Sequence, residues 1–240
     1  MGPDVIVVFL QGCCGDITQV DNLSPHPTRR GEKGSRFVGG RIGAEAVKVL
    51  LTMEPGTLTP VDARLKAFES KRRIPKPERV KRCYELVQKD RKEVDRTEWT
   101  FAKEIVLLDV LIRKKPIAEL EVQAIQVGPA IFITNQAEFF CQFGLDLKAK
   151  SPFPFTFPVE LANGCCGYVP TEEALGEHGG GYETRLTSYS NLEPAAGRRI
   201  VEVGLELAGQ MQPGEVPSRP KVSPFKGTGW SYGNVPPELD

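Results

Sequence analysis

The sequence predicts an α/β fold: a mixed sheet with helices packed on it, and a site at the carboxyl ends of the strands. Short apolar, β-branched or aromatic runs recur at residues 4–10 (DVIVVFL), 130–134 (AIFIT) and 155–163 (FTFPVELAN). Runs of this kind suit strands buried on both faces. Between them lie stretches with helical spacing of apolar residues. Each apolar run also ends in a polar turn of small residues: QGCCGDIT, NQAE and ANGCCGYVPT. In an α/β sheet the loops at the carboxyl ends of the strands build the site.

Taken in order, residues 4–10 are predicted as a buried strand. The Gly-, Pro- and Asp-rich stretch 11–35 is a long loop, and long loops in compact domains are commonly functional. Val38, Ile42, Ala46, Val49 and Met53 fall on one helical face, which predicts a helix over 36–53. Gly39, Gly40 and Gly43 suit close packing of that helix on a sheet, and Pro55-Gly56 ends it. A strand is expected over 57–70. Charged helices come next over 77–94, with Pro77 in the first turn, and over 98–114. This middle third reads as a covering layer with a solvated charged face. Residues 117–127 alternate in part, Gly128-Pro129 turns the chain, and 130–134 returns, which predicts a β-hairpin. Asn135 to Glu138 is expected to end that strand and start a helix through Phe139 and Phe140. After the 155–163 strand come a Gly-rich loop over 176–193 and an amphipathic helix over 194–210. The organisation expected is one domain portion over residues 1–212 and a Pro/Gly-rich tail over 213–240.

Lys+Arg and Asp+Glu both number 31 in the 240 residues, so the formal net charge is zero. That balance gives no reason to expect nucleic acid or an anionic surface as partner. The apolar runs are too short to span a bilayer as a helix, and the first residues lack the basic start of a signal peptide. Six cysteines include two adjacent pairs, Cys13-Cys14 and Cys165-Cys166, each inside a GCCG. Adjacent cysteines bridge each other only with strain, and they lack the CxxC spacing of zinc sites. Cysteine serves here as a small, buriable residue in a turn used twice. Redox or thiolate chemistry at the pairs is the competing reading.

The chemistry then lies in the residues just after each turn, Asp-Ile-Thr after the first and Tyr-Val-Pro-Thr after the second. Asp16, Thr18, Glu138 and Tyr168 converge if the three strands are neighbours. By spacing alone an Asp after Gly is a turn or cap residue, and a Glu at a helix start compensates the helix dipole.

Together these segments resemble the neutral ceramidase family. The family's first motif is a strand and then Asn-x-Gly-Asp-Val-Ser-Pro-Asn; Cys13-Cys14-Gly15-Asp16-Ile17-Thr18 fits it, with Thr at the serine position and Gln19 in place of proline. ITNQAEFF fits the strand whose Glu binds zinc, which is Glu138. NGCCGYVPTEE, with Tyr182-Glu183 further on, fits Asn-x-Tyr-x-x-Tyr-Val-x-Thr-Glu-Glu and the later Tyr-Glu. The resemblance covers roughly residues 4–30 and 130–210. It implies zinc held by Glu138 and Tyr168, with Asp16 and Thr18 orienting or activating the nucleophile. It also implies Tyr182 near the substrate amide. The implied substrate is a small amphipathic or lipid-like amide, ceramide among them. The family is often secreted. Its zinc also takes two histidines from the N-terminal half, whereas His26 and His178 here lie in loops. The chain therefore looks like the C-terminal part of a longer hydrolase, inactive as this fragment. The alternative is a non-catalytic relative that keeps the fold as a binding or structural module.

Overall fold

The computed structural model describes residues 6–53, 58–217 and 238. Its architecture is mixed α/β. A four-stranded sheet is built from β1 (Val61–Lys71), β2 (Ile117–Val127), β3 (Ala130–Thr134) and β5 (Phe155–Val159), in that spatial order. The first three pair antiparallel, and β3 pairs parallel with β5. Between β3 and β5 the chain forms a short strand β4 (Ala137–Phe139) and a helix α4 (Cys141–Lys150). A parallel pair needs such a crossover. Beyond β5, β6 (Gly167–Val169) pairs parallel with β4 in a separate two-stranded sheet.

Alternation along the strands decides which face is covered. Leu120, Val122, Ala124, Ile131 and Ile133 point one way and are buried under α4 and α5 (Ala196–Ala208). α5 contributes Ile200, Val203 and Leu207 at helical spacing, so one stripe of it seals the core. Leu65, Phe155 and Phe157 point the other way and are exposed. Buried Gln126 gives its amide N–H groups to the carbonyls of Gly128 and Gln212, which pins the segment after α5 across the β2–β3 turn.

A second small core joins α2 (Pro77–Leu86) to α3 (Arg96–Lys114) through Cys83, Ala102 and Ile105. The Asp95 side chain caps α3, accepting from the Thr97 and Glu98 N–H groups at 2.9 Å. The charged helix expected over 77–94 stops at Leu86, ahead of a turn in which Asp90 accepts the Lys92 N–H.

Three expectations are corrected. Residues 6–10 form no strand, and Ile6 through Leu10 are exposed; residues 4 and 5 lie outside the described residues. The run lies beside β5, where the Glu160 N–H reaches the Gln11 carbonyl at 3.0 Å. Pro158, two residues earlier on the same flank, has no N–H to give, so the ladder does not continue. Secondly, Ala137–Phe139 is a strand, not a helix start. The Asn135 side chain accepts the Ala137 N–H at 2.9 Å and redirects the chain, and β6 supplies a partner. Thirdly, the first helix, α1 (Gly31–Leu50), forms but packs on no strand among the described residues. Its stripe of Val38, Ile42 and Val49 is exposed, and space is open around Gly39, Gly40 and Gly43.

Candidate active site

The parallel strands β3 and β5 end side by side, and the small β4–β6 sheet sits just beyond those ends. Glu138 and Tyr168 are direct register partners across it. Ala137, Phe139, Gly167 and Val169 alternate into the interior, so Glu138 and Tyr168 share the opposite, partly open face.

Both GCCG turns serve this small sheet. Gly15 donates its N–H to the Phe139 carbonyl at 2.9 Å, and a Cβ there would lie 2.5 Å from the Glu138 carbonyl. Gly167 has φ +79°, and a Cβ there would lie 1.6 Å from the Tyr189 carbonyl oxygen. Only glycine fits either place. The Cys166 N–H donates to Gln136 and the Tyr168 N–H to Tyr189, at 2.8 and 2.9 Å, which fixes the second turn between two segments.

The paired cysteines fill this packing. All six cysteines are free thiols. Burial pushes the Cys13 and Cys166 thiols up to about 12. Burial, then the hydrogen bond to Glu160, does the same for Cys14. Such thiols are poor nucleophiles and poor ligands at neutral pH.

Around Glu138 the side chains form a cluster of hydroxyl groups. The Tyr189 hydroxyl donates to Glu138 Oε1 at 3.1 Å, and Cys165 Sγ lies 3.1 Å from the same hydroxyl. The Tyr168 and Tyr182 hydroxyls are 3.2 Å apart. The Tyr168 ring meets those of Tyr182 and Tyr189 edge-on, with centroids 5.7 and 5.6 Å away. Burial, then hydrogen bonds to Tyr182 and Glu138, raises the Tyr168 phenol well above its ordinary value. The hydrogen bond to Cys165, then burial and Glu138, raises Tyr189 likewise. Among the described residues no Lys, Arg or His forms an ion pair with Glu138.

Asp16 and Thr18 take other places. Asp16 Oδ1 accepts the Cys141 N–H at 2.7 Å, so it caps α4 from a distant loop. Thr18 is exposed; its hydroxyl accepts the Val20 N–H at 3.3 Å and has no hydrogen bond to Glu138, Tyr168 or Tyr182. His26 and His178 are exposed. Among the described residues no three His, Cys, Asp or Glu side chains cluster as a metal site.

Two residues of the site, Tyr189 and Glu160, were not singled out in the sequence. Tyr189 lies in an irregular segment whose approach depends on the tertiary fold. Glu160 carried a usable signal: an acid closing an apolar strand must find donors if buried. It is buried, and it accepts the N–H groups of Cys14 and Phe139 at 3.1 and 2.8 Å and the Cys14 thiol at 2.7 Å.

A cavity of about 430 Å³ opens on the far side of the first GCCG turn. Leu10, Ile17, Leu145 and Phe157 line it, and Lys148 also borders it.

This mixed α/β architecture is ceramidase-like in its fold. The neutral ceramidase of Pseudomonas aeruginosa superposes with a TM-score of 0.54 over 88% of this chain, at 15% identity. The chain spans 39% of that protein's length. A ceramidase complexed with C2 superposes at a TM-score of 0.48, 14% identity, over 78% of this chain and 36% of its own. No protein-family model matches the chain, and no curated protein does.

Proposed function

We propose that these residues belong to a zinc-dependent amidohydrolase cleaving an N-acyl amide, with ceramide, giving sphingosine and a fatty acid, as one such substrate. The observation carrying this is the pairing of Glu138 with Tyr168 on β4–β6, with the Tyr182 hydroxyl 3.2 Å from that of Tyr168, on a ceramidase-like fold.

The donor chemistry fits the metal. A carboxylate and a phenol oxygen share one face, and no cationic side chain among the described residues neutralises Glu138. When bound, zinc supplies Lewis-acid polarisation of the scissile carbonyl and acidifies water. Glu138 and Tyr168 are its proposed holders. Tyr182 holds the substrate amide by its hydroxyl. Asp16 fixes the loop carrying Thr18 against α4. The apolar cavity beside that loop suits an acyl chain. Catalytic zinc sites use three protein ligands, and Glu138 and Tyr168 supply two. Weak zinc binding and no hydrolysis are therefore expected of the 240 residues on their own.

The test is zinc affinity measured by competition with a chromophoric chelator, for the wild type, E138Q and Y168F. A fall of roughly tenfold or more in each variant is expected, as for loss of a ligand. Equal affinity in all three proteins would remove the proposal. A second reading, a non-catalytic binding module, is favoured by one observation: the Thr18 hydroxyl is engaged within its own loop. Hydrolysis by a zinc-loaded longer form would exclude it.

A further inference from the structure

We propose that the cavity beside the first GCCG turn is a binding site for a long-chain carboxylate, with Lys148 as the counter-charge of its head group. The proposal rests on the acyl-chain reading of this cavity given above and extends it from the tail to the head group; it requires no metal. The cavity measures about 430 Å³, within the range of about 300–1,000 Å³ that small-molecule sites occupy.

The lining has an apolar part that suits a tail. One wall is a face of α4, on which Cys141, Gly144, Leu145 and Lys148 recur at helical spacing. Phe132 of β3 and Phe157 of β5 line it as well, stacked with ring centroids 5.2 Å apart. Leu145 and Phe157 are exposed, so a tail laid against them removes apolar surface from water.

The charge of the lining has one sign. Lys148, in the last turn of α4, is the only charged side chain among the described residues that line the cavity. Among the described residues it forms no ion pair. Lys150, two residues on, is paired with Asp146 at 3.0 Å. Cys13 and Cys14 also border the cavity, and with both thiols pushed up to about 12 they add no negative charge at neutral pH. An apolar wall with one unpaired ammonium at its rim selects an anion with an apolar tail over a neutral or cationic amphiphile. The direction of binding follows from the helix. Cys141 opens α4, and Lys148 lies about 10 Å further along its axis at about 1.5 Å per residue. Glu138 precedes α4, so the carboxylate sits towards the opposite end of that helix from Glu138. The tail runs back towards the GCCG turn.

The experiment is a titration of the full chain with cis-parinarate, a fluorescent polyene carboxylate, with a chelator present so that no metal takes part. Laurate and methyl laurate then compete for the bound probe, and circular dichroism checks the fold of each variant. Saturable binding is expected. Laurate should displace the probe at a concentration at least about fivefold below that of its ester, which lacks the charge that Lys148 meets. K148A should bind the probe at least about fivefold more weakly, and K148E more weakly still. K150A and F155K, which change α4 and the open sheet face outside the cavity, should bind it as the wild type does. L145W places a larger side chain in the lining from an already exposed position, and should lower binding with the fold intact. Equal affinity in K148A and the wild type, or equal displacement by acid and ester, would overturn recognition of the carboxylate by Lys148. Binding that falls as far in K150A or F155K as in K148A would overturn the cavity as the place of binding. No saturable binding would overturn the proposal whole. The zinc reading is decided separately, by the zinc affinities of E138Q and Y168F.

Discussion

Glu160 shows how a single side chain sets the position of three segments. It is 3% exposed, and its two oxygens accept from the Cys14 N–H, the Cys14 thiol and the Phe139 N–H. One carboxylate thereby joins the first GCCG turn, the end of β4 and the end of β5. A buried charge with three donors is stable only as a complete set. E160A leaves the buried Phe139 N–H and the part-buried Cys14 N–H without acceptors, at a cost of about 3 kcal/mol. E160Q costs less but still loses ground, since its amide N–H groups would face donors. Urea unfolding of both variants is the check. A loss below about 1 kcal/mol in E160A would mean that water replaces the carboxylate freely.

At the scale of elements, the β4–β6 sheet carries the candidate site, and it is the part least legible in the sequence. The hairpin of β2 and β3, the α5 stripe and the α3 helix were readable, because periodicity is a local signal. Three-residue strands have no periodicity to read. NQAEFF contains residues that suit a helix start, and only the Asn135 side chain and the presence of β6 make it a strand. Glu138, Tyr168 and Tyr182 were singled out by the family resemblance rather than by spacing, and the structure brings the three side chains together. Tyr189 was not, because it arrives on a loop held by the Arg73 guanidinium against the Ser190 carbonyl at 2.9 Å. Gly167 is where this sheet is most vulnerable. G167A puts a methyl group against the Tyr189 carbonyl and a side chain at φ +79°. Destabilisation of about 3 kcal/mol or more is expected, from backbone strain together with the clash. The same change should separate Tyr168 from Tyr189, so near-ultraviolet circular dichroism of the tyrosines should change at temperatures where the variant is still folded. An unaltered tyrosine signal would show that the turn adapts.

For the molecule as a whole, the four-stranded sheet presents two unlike faces. One is sealed by α4 and α5. The other carries Leu65, Phe155 and Phe157, all exposed, and Phe157 stacks on Phe132 with centroids 5.2 Å apart. An antiparallel sheet with a solvated face ordinarily puts polar residues there. Here the polar residues are confined to one end, where Glu119, Glu121 and Gln123 of β2 lie on the same face. A contiguous apolar patch on a sheet face binds apolar dyes and promotes association. Lysine at Leu65 and at Phe155 should therefore lower binding of a fluorescent apolar dye and raise the concentration at which the chain stays in solution. Both side chains are already exposed, so the cost in stability should stay within about 0.5 kcal/mol each. Dye binding that is unchanged in the L65K/F155K double variant, with the fold intact, would mean that the face is covered in solution. A melting temperature that drops by many degrees would mean the same, since the lysines would then have displaced packed neighbours.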